Sequence, residues 1–171
     1  NDVAIDSSGT GTGKTYTSIA LCKHFGLVPI ILCPKTMIQS WKNVCVLFGC
    51  DNPIIVNYET LKHGNQYVDN NANNKRVESN IIQKNEETKK YSWNVTKNHI
   101  LIVDEAHKCK SKTTLNGKML MAARGKCKIL LLSATIADSP MTFFVYGYVL
   151  KFFRTQSQCN AWVTHIMNAK Q

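Results

Sequence analysis

Short apolar runs alternate with amphipathic stretches along most of the chain. Val3–Asp6 reads as a short strand and leads into a turn of glycine, threonine and serine. Over Lys14–Phe25, Ile19, Ala20, Leu21 and Phe25 form the packed side of a helix, and Gly26 stands where a helix stop belongs. Residues 29–33 are almost wholly apolar, the mark of a strand covered on both faces, with a proline tolerated at its start. Met37, Trp41, Val44 and Phe48 fall near helical spacing, so a helix is expected over 36–48, followed by a third strand over 53–57.

The pattern then breaks. Residues 64–98 are rich in Asn, Lys, Glu and Gln with little sustained periodicity, and read as an inserted surface loop with a short helix around 77–86. Order resumes at His99–Asp104, a strand carrying Ile100, Leu101, Ile102 and Val103. A helix is expected over 113–124, a strand over 127–133, and helices over 141–153 and 157–168. The first of these last two is aromatic on too many sides for simple amphipathicity, so it is expected to be buried or to form a docking face.

Strands alternating with helices imply an α/β fold, a three-layer domain with a mainly parallel central sheet. Ligands of such sheets bind at the carboxyl ends of the strands. The candidate chemistry of this chain also falls at strand ends.

A length of 171 residues fits one ordinary domain, and 44% hydrophobic residues are enough for a real core. The net charge of +10 leans toward a polyanionic partner, although lysines on a solvated surface explain the same excess. The seven cysteines include no Cys-x-x-Cys pair, and several lie in apolar stretches, as expected of reduced, mostly buried thiols inside a cell. Neither Cys45 with Cys50 nor His107 with Cys109 makes a four-ligand zinc spacing. No apolar run is long enough to span a bilayer and no secretory signal is recognisable, so no membrane partner is expected. Opening directly on a strand suggests a piece of a longer polypeptide.

Two motifs carry chemistry. Ser8-Gly9-Thr10-Gly11-Thr12-Gly13-Lys14-Thr15 follows a strand and opens a helix. Glycines there let successive backbone N–H groups curl around a phosphate chain, and the helix N-terminus adds positive potential. Gly11, Thr12, Gly13, Lys14 and Thr15 are the candidate ATP-binding residues, with Lys14 on the outer phosphates and the Thr15 hydroxyl on Mg²⁺. Ser8 departs from the glycine usual at the first position. At the end of the His99–Asp104 strand, Asp104 is the candidate metal carboxylate and Glu105 the base that orients and deprotonates water. Glu105 and Lys14 are thus the expected catalytic residues.

With these residues the chain resembles the first RecA-like lobe of a superfamily-two helicase. Ser8–Thr15 resembles motif I, which tolerates serine at its first position, and Asp104-Glu105-Ala106-His107 spells motif II as DEAH. Ser133-Ala134-Thr135 resembles motif III. Leu32-Cys33-Pro34-Lys35 with Gln39-Ser40-Trp41 resembles motif Ia of the Swi/Snf-like branch, and Asn57-Tyr58-Glu59-Thr60-Leu61 a stretch near that branch's motif Ib. The resemblance runs from about residue 2 to 152, and implies a RecA-like P-loop lobe over 1–153, with 154–171 leading toward a second lobe of the same polypeptide.

Further roles follow from the resemblance alone. His107, Ser133 and Thr135 would couple hydrolysis to movement between lobes. Lys35, Thr36 and Thr60, with Lys62 beside them, would contact nucleic acid. Trp41 reads as core, since it lies on an apolar helical face. Double-stranded DNA is favoured as substrate, because the arginines usual in motif Ia of DEAH-box RNA helicases are absent from residues 34–41. An RNA helicase lobe and a catalytically idle scaffold remain the alternatives. The abundance of Asn and Lys suits a large DNA virus, with a nucleus, viral factory or virion as the setting. Nothing after Thr135 resembles the second-lobe motif that carries an arginine finger.

Overall fold

A computed structural model describes residues 2–70 and 73–169. Its central sheet is built from β1 (Val3–Asp6), β2 (Val28–Cys33), β3 (Ile54–Asn57), β8 (His99–Asp104) and β9 (Lys128–Leu132). All five are parallel and stand in the order β1-β9-β8-β2-β3. Because side chains alternate across a strand, one apolar run feeds two cores. Ile30, Leu32, Leu101 and Val103 face one side of the sheet, whereas Ile31, Cys33, Ile100 and Ile102 face the other.

Helices α1 (Lys14–Phe25) and α2 (Ile38–Leu47) cover the second side with Ile19, Cys22, Trp41 and Val44. Helices α4 (Leu115–Ala122) and α5 (Pro140–Val149) cover the first with Met119, Leu120, Phe144 and Tyr146. This is the expected three-layer α/β architecture of a RecA-like domain. Cys22, Cys33 and Cys109 are buried, and burial pushes their thiols up to about 12, which leaves them unreactive. No described helix is long and apolar enough to cross a membrane.

Three expectations change at their ends or altogether. The helix expected over 36–48 begins as a 3-10 turn at Lys35–Met37 before α2 takes over. The helix expected over 141–153 stops at Val149, and Lys151 takes a positive φ of 64° that folds Phe153 back. Phe153 and Phe143 then close on Trp162 of α6 (Gln156–Asn168), with ring centroids 5.5 and 5.9 Å away. Phe144 and Tyr146 are therefore buried in the core below the sheet, Phe143 and Phe153 are half-buried against α6, and Phe152 stays exposed.

The short helix expected around 77–86 is replaced by two antiparallel hairpins. β4 (Asn65–Asn70) pairs with β5 (Asn73–Glu78), and β6 (Ile82–Lys84) with β7 (Tyr91–Trp93). Asparagine and lysine hide this pattern, because a two-stranded ribbon largely open to solvent has little apolar alternation to read. Two aromatic residues root the second hairpin. The Trp93 indole donates to the Met119 carbonyl at 2.9 Å, and the Tyr91 hydroxyl donates to the Lys62 carbonyl at 2.6 Å. The insertion is thereby tied to α4 and to a four-residue helix, α3 (Tyr58–Leu61).

Helix α4 also lies very close to the segment that follows the acidic pair. A Cβ at Gly117 would sit 2.0 Å from the Ser111 carbonyl oxygen. Alanine normally favours a helix over glycine by about 1 kcal/mol. Here the clash is with backbone, and overpacking of about 1–3 kcal/mol or more is expected to win. Gly117→Ala should therefore lower Tm by roughly 3–10 °C in thermal melts. A Tm equal to or above that of the parent would contradict this packing.

Candidate nucleotide site

The sheet order sets the candidate motifs side by side along one edge. The phosphate loop leaves β1, Ser133 follows β9, Asp104 ends β8, Lys35 follows β2 after a proline, and Thr60 follows β3. Residues scattered through more than a hundred positions of sequence thus share the carboxyl end of one parallel sheet.

In the loop, Gly11 and Gly13 take φ values of 75° and 87°, a left-handed backbone that disfavours any residue with a Cβ. Helix α1 starts after Gly13 with no side-chain cap, which leaves its N-terminus uncapped at the loop. The Lys14 ammonium donates to the carbonyls of Ser8 and Gly9, which holds it against the loop. Ser8 has a role of its own: its N–H and hydroxyl both donate to Asp6, and its oxygen meets the Thr12 hydroxyl at 2.9 Å. Those Ser8 hydrogen bonds keep the Asp6 carboxyl below its ordinary range. Thr12 closes the turn on the Gly9 carbonyl, and Thr15 is half-buried in the first turn of α1.

The acidic pair is held by buried aromatic residues from three elements. The Trp41 indole N–H donates to Asp104 Oδ2 at 2.9 Å. The Tyr58 hydroxyl donates to the Asp104 carbonyl at 2.6 Å, and the Tyr146 hydroxyl to the Ala106 carbonyl at 2.8 Å. Burial pushes the Asp104 carboxyl above its ordinary range, against the Trp41 hydrogen bond and the Lys14 charge. Glu105 adopts φ 55°, an uncommon left-handed backbone for a residue with a side chain. That turn ends the strand between two adjacent carboxylates and lets them serve different points of one site.

Beyond the turn, His107 Nδ1 lies 3.1 Å from Glu105 Oε2 and 3.4 Å from Ser133 Oγ. The Ser133 hydroxyl donates to the Thr135 carbonyl at 2.7 Å. Glu105, His107, Ser133 and Thr135 form one chain of contacts from the end of β8 to the end of β9. As a donor set, one carboxylate at Asp104 and one hydroxyl at Thr15 are hard oxygens. They suit Mg²⁺, which keeps several waters and accepts few protein ligands.

Farther along the edge, Lys35 and Thr36 are exposed. Thr60 is 6% exposed, and its hydroxyl and N–H are both engaged by the Asn57 side chain that caps α3. A groove of about 840 Å³ runs between α2, β3 and β4, with Lys35, Lys42, Asn57 and Thr60 on its walls. Motif spelling did not single out the aromatic hydrogen bonds to the acidic segment. Trp41 is core, as its spacing implied, but an indole buried completely needs an acceptor, and that requirement was the available signal.

Comparison with known proteins identifies the family. Residues 7–138 match the family described as type III restriction enzyme, res subunit. Over 170 residues the chain is 38% identical to a protein of Acanthamoeba polyphaga mimivirus named "Putative ATP-dependent RNA helicase L364", covering 94% of this chain and 32% of that protein. The chain thus spans about a third of that relative's length. It belongs to the type III restriction enzyme res-subunit family, and has the RecA-like lobe of superfamily two.

Proposed function

We propose that the chain is the nucleotide-binding lobe of a nucleic-acid-dependent ATPase that couples ATP hydrolysis to movement on double-stranded DNA. The observation that carries this reading is the row of motifs along one sheet edge. Phosphate loop, Ser133–Thr135 and acidic pair stand together on β1, β9 and β8, and the Lys35 and Thr60 segments continue the row on β2 and β3.

In this reading Gly11, Thr12 and Gly13 wrap the phosphates of ATP with backbone N–H groups, and Lys14 offsets the charge of the outer phosphates. Thr15 and Asp104 hold Mg²⁺, which when bound neutralises charge building on the phosphates. Glu105 orients the attacking water and takes its proton. His107, Ser133 and Thr135 pass the change at the site toward a second RecA-like lobe of the same polypeptide, with residues 1–153 forming this lobe and 154–171 leading onward. Lys35, Thr36 and Thr60 border the nucleic acid, Lys35 as a phosphate contact and Thr60 through the α3 backbone that its cap holds. A large DNA virus as source, and a reducing intracellular setting, fit the composition, the buried thiols and the mimivirus relative.

The name of that relative favours a second reading, movement on RNA. ATPase assays on the full-length protein with double-stranded DNA, single-stranded DNA and RNA in parallel separate the two. Stimulation by double-stranded DNA supports the proposal, and stimulation by RNA alone replaces it with the second reading. Indifference to all three points to a scaffold. On the preferred nucleic acid, Lys35→Ala should flatten the slope of log affinity against log salt by about 0.9, the release of roughly one counterion. An unchanged slope would remove Lys35 from the phosphate track.

A further inference from the structure

Two side chains from the stretches that resemble motif Ia and the motif Ib region, to which the resemblance gave no role at the nucleotide site, grip Asp104 directly. Trp41 is fully buried, and its single polar atom is spent on Asp104 Oδ2. Tyr58 is 2% exposed, and its hydroxyl is spent on the Asp104 carbonyl. Among the described residues no other side chain donates to that carboxylate, which otherwise meets the neighbouring Glu105 N–H. Asp104 is thus located by one donor on its side chain and another on its backbone, each from a different segment.

Where those segments lead is the informative part. Trp41 belongs to a continuous helical stretch that starts with the 3-10 turn Lys35–Met37 and runs into α2. Lys35 and Thr36 stand exposed at its outer end, and Trp41 is buried about one and a half turns farther along. Tyr58 and Thr60 share the four residues of α3, and Asn57 braces that helix by accepting from the Thr60 N–H at 3.0 Å. The two groove-bordering segments that hold Lys35–Thr36 and Thr60 therefore each carry, on the same rigid element, a buried donor to Asp104. A close-packed interior passes displacement on rather than absorbing it, so a shift of either element must move the carboxylate or break its hydrogen bond.

We propose that Trp41 and Tyr58 are positioning residues, which aim Asp104 at the metal and tie that aim to the occupancy of the Lys35–Thr36 and Thr60 segments by nucleic acid. The inference rests on the proposed reading of Asp104 as metal carboxylate. It adds that the groove is linked to the metal site through two hydrogen bonds, independently of the His107–Ser133 chain. Coupling of this kind is reciprocal: nucleic acid that tightens metal–nucleotide binding is itself bound more tightly when metal and nucleotide are present.

The test uses the full-length protein with Mn²⁺ followed by electron paramagnetic resonance, in the presence of a non-hydrolysable ATP analogue, with and without the preferred nucleic acid. Trp41→Phe keeps the apolar ring and deletes the donor. Tyr58→Phe deletes one hydroxyl and serves if the first variant folds poorly by thermal melt. Removing a group that orients a metal ligand typically weakens metal binding about 10–100-fold. We expect Trp41→Phe to fall in that range, Tyr58→Phe to lose about 3–10-fold, and the effect of nucleic acid on Mn²⁺ affinity to shrink toward unity in both. Folded variants with unchanged Mn²⁺ affinity, or with the nucleic-acid effect intact, overturn the proposal. Asp104→Asn separates this failure from that of the underlying reading. If Asp104→Asn binds Mn²⁺ as the parent does, the assignment of Asp104 is wrong; if it does not while Trp41→Phe does, only the positioning role falls.

Discussion

Glu105→Gln in the full-length protein is expected to lower ATP turnover by about 10²–10⁴-fold while leaving nucleotide affinity within a few-fold. The substitution keeps length and shape and removes only the charge proposed to accept the proton of water. The surroundings of Glu105 make this a clean test. Its left-handed φ of 55° belongs to the backbone turn, and glutamine asks nothing different of that turn. The carbonyl oxygen of glutamine can still accept from His107, so the contact that now measures 3.1 Å has a replacement. The residues proposed to contact phosphate, the loop and Lys14, stand on another element and are untouched. Single-turnover hydrolysis and equilibrium nucleotide binding, measured side by side, give the answer. Turnover within tenfold of the parent would move the base to another residue, and loss of binding together with turnover would make Glu105 structural.

The parts of this site that were legible in sequence are those where local pattern and chemistry coincide. β1 and β8 have the expected bounds because each is an apolar run stopped by a carboxylate, and α1 has its expected bounds because Gly13 and Gly26 stand at its two ends. The hairpins of the insertion were hidden for the opposite reason. Their polar strands bury few side chains, and Ile81, Ile82 and Trp93 are too few and too widely spaced to mark a strand period. The stop of α5 at Val149 was equally illegible, since Lys151 takes a left-handed backbone that sequence ordinarily reserves for glycine.

Trp41 shows a third limit. Helical spacing places it in the core, and it is there, but spacing describes the face of a helix and not the far end of a side chain. Only the fold brings residue 41 to residue 104. The same holds for Gly117, whose missing Cβ matters because of the Ser111 carbonyl beside it and not because of any turn.

If, as proposed, this lobe works against a second lobe of a longer polypeptide, the 171-residue chain expressed alone is expected to bind ATP modestly and to hydrolyse it about 10³–10⁵-fold more slowly than that polypeptide with nucleic acid, the usual worth of an arginine finger. The reason lies in where its arginines are. Arg124 donates to the carbonyls of Phe153 and Arg154, and its guanidinium lies 4.2 Å over the Tyr148 ring, where α4 and α5 meet the turn before α6. Arg76 is exposed on β5, and Arg154 is exposed on the turn before α6. None follows a strand at the carboxyl edge of the sheet. The cation that acts on Asp104 and Asp6 is Lys14. One lysine on the loop leaves the charge that develops on the transferred phosphoryl group without a planar, bidentate partner. Single-turnover hydrolysis by the isolated chain and by the full-length protein, with nucleotide binding and a cooperative melt as controls for folding, checks the expectation. Comparable rates would mean that Lys14 and the loop complete the chemistry unaided. A large deficit, closed when a separately expressed second lobe is added, would show that the missing charge arrives from across the cleft.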